Sequence, residues 1–122
     1  MIESAFALLV FGVLTAGIME LGLTGFISNS ISFAAQRAAR YAAVRGSASG
    51  HAATIADIQA TARSYAAPLG GDALTVAVTW TPDNNPGGTV QVRVSFEVRP
   101  MMLPVSSSVL TLQSTARQVI TQ

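Results

Sequence analysis

Residues 1–46 read MIESAFALLVFGVLTAGIMELGLTGFISNSISFAAQRAARYAAVRG, and this stretch decides the architecture. Up to Gln36 it contains no basic residue, and its only charges are Glu3 and Glu20. The run from Ser4 to Met19 is uncharged, and so is the run from Leu21 to Gln36. About 20 apolar residues suffice to cross a bilayer. The first half is apolar all round, without a polar stripe, and such a helix is buried on every side, in lipid or in other protein. No Pro precedes Pro68, so nothing breaks the helix early. The pattern predicts one continuous helix from about Ile2 to about Arg45, stopped by Gly46 as its C′ residue. At ~1.5 Å per residue this helix is ~65 Å long, about twice the thickness of a bilayer core. Its upper half must project from a membrane or pack on something else.

Arg37, Arg40 and Arg45 all fall in that upper half, where cations favour a helix C-terminus. Retention of positive charge on the cytoplasmic side would place this end inside, unless a basic leader precedes Met1. The stretch differs from an ordinary secretory signal, because it has no positive n-region and no small-residue cleavage site closing the apolar run. Small residues crowd the helix. Gly12 and Ala16 are four apart, as are Ala34, Ala38 and Ala42, and Ala35, Ala39 and Ala43. That spacing puts small residues on one face and lets a neighbouring backbone approach, although high helix propensity also explains the alanines. Gly12, Gly17, Gly22 and Gly25 each weaken an isolated helix by ~1 kcal/mol relative to Ala, so packing between helices or a softened segment is the better account of them.

Glu20 has apolar neighbours on both sides, and a carboxylate in lipid costs ~2.5 kcal/mol or more. It must be neutralised, hydrogen-bonded or paired, or lie at the membrane interface by snorkelling. Arg37 is 17 positions on, or ~25 Å along a straight helix, so those two cannot pair within one helix. A staggered neighbouring copy could bring an Arg to Glu20. Glu3 either complements the positive end of the helix macrodipole or neutralises an N-terminal amine, its own or a neighbour's.

Residues 47–122 read as a small α+β domain attached to the helix of residues 1–46. Residues 46–53, GSASGHAA, form a loop. Thr54-Ile-Ala-Asp57 has the spacing of a capping box, which starts a short helix that runs to about Ala66 and ends before Pro68. Ile55, Ile58, Ala62 and Tyr65 give it an apolar face. Gly70-Gly71-Asp72 is a turn. The period then changes to two. Leu74, Val76, Val78 and Trp80 alternate with polar or small residues; so do Val90, Val92, Val94, Phe96 and Val98, beyond the turn PDNNPGG. This is an antiparallel hairpin with one apolar face. Pro100 to Pro104 breaks the pattern, and the tail SVLTLQSTARQVITQ supplies a third strand. A lone hairpin is marginal, so a third strand and a covering helix are what stability requires.

Composition excludes several chemistries. The 122 residues are 50% hydrophobic and 11% charged, against roughly 25% charged in an average soluble domain. The absence of Cys rules out disulfides, thiolate metal sites and a cysteine nucleophile. His51 is the single histidine, in a Gly/Ser/Ala loop without a nearby acid, and reads as solvated rather than as a base. Asp57, Asp72, Asp83 and Glu97 fall on a cap, turns and a polar strand face. The turn PDNNPGG has one carboxylate, too few for a calcium loop, and the glycines make no phosphate-binding pattern. No cofactor, metal site or catalytic residue is expected, and the chain does not read as an enzyme. A net charge of +1 gives no reason to expect nucleic acid as a partner.

The stretch MIESAFALLVFGVLTAGIMELG followed by FAAQRAARYAAVRG resembles the TadE/TadF-like group of the type IV pilin superfamily. Glu3 and Glu20 match that group's two glutamates at the family spacing, and Ala39-Arg40-Tyr41-Ala42 matches its later motif. The likeness covers about residues 1–46; beyond it only the order helix, hairpin, final strand is similar. Leu9 stands where many members have Pro, Ala39 replaces a motif Gly, and the first glutamate is at position three rather than five. The resemblance implies a pilin-like fold and a pilin or pseudopilin function. Its subunits enter the inner membrane, a prepilin peptidase removes a basic leader, and the assembly machinery extracts them into an extracellular filament of identical copies. Such a leader would account for the missing n-region and cancel the orientation argument. Glu3, Gly12, Ala16, Glu20, Arg37, Arg40 and Tyr41 are the candidate assembly residues. Three functions are expected to compete: a major filament subunit with a role in cell adhesion; a minor pseudopilin retained in the membrane; and a membrane-anchored binding module with Trp80 as its one obvious aromatic anchor.

Overall fold

The computed structural model describes residues 1–70, 73–98 and 110–122. The chain begins with helix α1, Ile2–Ala43. Helix α2, Ile55–Tyr65, follows, and a single 3-10 turn spans Ala67–Leu69. Strands β1 (Leu74–Thr81), β2 (Thr89–Val98) and β3 (Leu110–Val119) complete the fold. This is the α+β layout that the two hydrophobic periods predict: a long apolar helix, a short second helix and a three-stranded antiparallel sheet. The predicted turn at Gly71-Asp72, the segment Pro100 to Pro104 and the first two residues of the predicted third strand lie outside the described residues.

The sheet is a meander with β2 in the centre. Val92 pairs with Val78 on one side and Ala116 on the other, and Val94 pairs with Val76 and Ser114. Because side chains alternate, this register puts the valines of β2 on one face, and Val90, Val92 and Val94 are fully buried there. The second half of α1 covers β2 and β3, and α2 covers β1. Gln59 on α2 donates from Nε2 to the carbonyl of Val76 at 3.1 Å, which occupies part of the exposed edge of β1.

Three local expectations change. Helix α1 stops at Ala43 with Val44 as its cap, two residues early, and Gly46 does not take a left-handed conformation. Gly46 is required for a different reason: a Cβ there would collide with the Gln122 carbonyl and the Ile120 side chain. Ile55 and Tyr65, placed on the apolar face of α2, are largely exposed, at 46% and 44%. Only the middle of this short helix, Ile58 and Ala62, reaches the core. The alanine rows of α1 pack against the chain's own sheet and α2, since Ala34, Ala35, Ala38 and Ala39 are all fully buried.

Candidate functional site

Helix α1 serves two environments. From Ile27 onward one stripe is buried: Ile27, Ile31 and the six alanines from Ala34 to Ala43. Before Ile27 the helix leaves the domain, and its large apolar side chains stand free, with Phe6 and Phe11 each 68% exposed and Leu21 75% exposed. The part before Ile27, Ile2 to Phe26, is ~37 Å long, enough for a hydrocarbon core of ~30 Å. By length and composition α1 can cross a membrane.

The candidate assembly residues separate along this helix. Glu3 is exposed in the first turn. Gly12 is exposed and opens onto empty space, while Ala16 and Glu20 are half-buried. Arg37 and Arg40 are exposed and share one groove with Phe33, Gln36 and Gln118 of β3. The Arg37 guanidinium lies 5.0 Å from the centre of the Phe33 ring and 6.0 Å from that of Tyr65. Those two rings meet edge to face with centroids 5.5 Å apart, so Arg37 is held by cation–π attraction to both. Arg40, in the last turn of α1, is the second cation of the groove. Tyr41 is half-buried outside the groove, and its hydroxyl accepts from Arg45 Nη1 at 3.3 Å while that guanidinium covers its ring at 4.6 Å.

Sequence reasoning missed Phe33, Gln36, Tyr65 and Gln118. The spacing of four between Phe33 and Arg37 is legible on a helix. The part played by Tyr65 and Gln118 depends on tertiary packing and is not.

The polar groups at the start of α2 are structural. Thr54 and Asp57 form the reciprocal capping box: the Asp57 N–H donates to Thr54 Oγ1 at 3.2 Å, and the Thr54 N–H donates to Asp57 Oδ2 at 3.0 Å. The Thr54 backbone and side-chain hydrogen bonds hold the Asp57 carboxyl below its ordinary value. Among the described residues, no three His, Asp or Glu side chains gather where they could hold a metal ion. Trp80 is half-buried and packs against the core, with its indole N–H buried and unpartnered, so it does not stand out as an exposed aromatic anchor. Compared with known proteins, the chain matches no family model, no curated protein and no solved structure.

Proposed function

We propose that this chain is the structural subunit of a type IV or Tad-like filament, assembling through the free half of α1. The observation that carries this reading is the division of one continuous helix at Ile27. Its upper part is the core of a folded domain; its lower part, ~37 Å long, adds no residue to that core among the described residues. Hydrophobic burial at ~25 cal/mol per Å² makes such a segment unstable in water. It needs lipid before assembly and other copies of itself afterwards. The resemblance of residues 1–46 to TadE/TadF-like pilins supports the same route, from inner membrane through peptidase processing to an extracellular pilus. No part of this role calls for catalysis or a cofactor.

The test is to shear cells that produce the chain, image the supernatant by electron microscopy, and identify its proteins by mass spectrometry. Thin filaments composed mainly of this chain are the expected result. Recovery of the chain only from the membrane fraction would overturn the major-subunit reading in favour of a membrane-retained pseudopilin or an anchored module.

A further inference from the structure

We infer that the groove at Arg40 receives the Glu20 region of a second, parallel copy displaced by ~30 Å along the helix axis. The inference rests on the filament reading and adds a register to it.

Three observations converge on this step. The first is azimuth. Ala38 is five whole turns above Glu20 at 3.6 residues per turn, and Ala38 is buried against the domain. Glu20 therefore lies on the domain-facing side of α1. Arg40 is 20 residues above Glu20, which turns it by ~200° onto the opposite side. Two parallel helices related by translation present opposite sides to each other, so Glu20 of one copy and Arg40 of the next point at a common interface. A shift of 20 residues, ~30 Å, brings them level.

The second is the height of the domain. The packed part of α1, Ile27 to Ala43, is ~25 Å long, and the loops after Ala43 and between β1 and β2 extend it. The described residues of the domain lie level with this upper part of α1, and a neighbour lowered by ~30 Å sets its own upper helix alongside the lower, apolar half of the first copy. A much smaller step would bring the two sheets into collision.

The third is charge. Within α1 the acids are Glu3 and Glu20, and the bases are Arg37 and Arg40. Arg37 is already stacked on Phe33 and Tyr65, which leaves Arg40 the freer donor of the groove. An ionised carboxylate offers about four lone-pair sites, so the contact adds to whatever Glu20 makes within its own chain. Gly17, beside Glu20, allows the facing helix to approach.

The chain contains no Cys, so paired cysteines report the register cleanly. Gly17→Cys and Gln36→Cys flank the proposed contact without removing Glu20 or Arg40. Filaments of the double variant should give a ladder of covalent multimers on oxidation or with a short bismaleimide, whereas either single variant can give dimers at most. Filaments that assemble without a ladder overturn the register and leave the filament reading intact. Absence of filaments from the unaltered chain overturns both. A second measurement does not depend on the cysteines: Arg40→Glu should lower filament yield at least about tenfold, while Arg93→Glu, exposed on the far face of the sheet, should not. Unchanged yield with Arg40→Glu overturns the proposal.

Discussion

The backbone N–H of Thr121 donates to the carbonyl of Ala43 at 3.0 Å, tying the end of the chain to the end of α1. The last carbonyls of a helix have no partner within it, and here the C-terminal tail supplies one. Ile120, only 1% exposed, is held in the same junction, with its N–H on Gly88 and its carbonyl on Gly87. Ile120→Ala should therefore cost ~2–5 kcal/mol, and Gly46→Ala should also destabilise because its Cβ has no space. Urea unfolding of the full chain in detergent, followed by the fluorescence of Trp80, measures both. A midpoint unchanged in both variants would show that this junction does not hold the domain together.

The capping box gives a pH-dependent contribution. Thr54→Ala should cost about 1 kcal/mol by leaving the Asp57 N–H without its acceptor. Because folding lowers the Asp57 pKa from 3.8, its contribution is fully present above that value and is lost as pH falls through the lower folded value. The stability difference between the unaltered chain and Asp57→Ala should then be constant from neutral pH to about pH 5 and shrink in more acidic solution. A difference that grows on acidification would contradict the assigned role.

The extent of α1, the capping box and the alternating strands were legible because each is set by local periodicity or by residues three or four apart. The facing of Val92 between Val78 and Ala116 followed from a period of two. Gly46 does not stop α1 as its position suggests; glycine is required there by the close approach of Ile120 and Gln122, which leaves no trace in the neighbouring sequence. The alanine rows read equally well as helix propensity or as packing against another helix; only the position of the sheet decides that they face it. In the site, Glu20 and the arginines stood out by charge against an apolar background. Their partition into an apolar lower half and a grooved upper half needed the point at which the buried stripe begins, Ile27.

Ala38 tests that partition. It is fully buried, so Ala38→Leu must displace the side chains packed around it and should destabilise by ~1–3 kcal/mol. Gly22 lies before Ile27, and a Cβ there would meet open space. Gly22→Ala should leave the unfolding midpoint of the domain in place, even though it favours helix by ~1 kcal/mol. Thermal unfolding in detergent by circular dichroism compares them. Equal shifts in the two variants would show that the two halves of α1 unfold as one unit.

Glu20→Ala separates assembly from folding. Glu20 is half-buried and is not among the buried core residues, so the folding of the sheet domain should be retained. A charge-assisted hydrogen bond contributes ~1.5–3 kcal/mol. Losing one such contact per subunit should reduce filament yield by about tenfold or more. The alanine also makes the segment easier to hold in lipid, because it removes a carboxylate that disfavours the membrane by ~2.5 kcal/mol. The expected result is chain that accumulates in the membrane fraction with a folded domain and few sheared filaments. Quantitative immunoblots of both fractions, with protease resistance as the folding readout, measure this. Filament yield equal to that of the unaltered chain would remove Glu20 from the assembly interface.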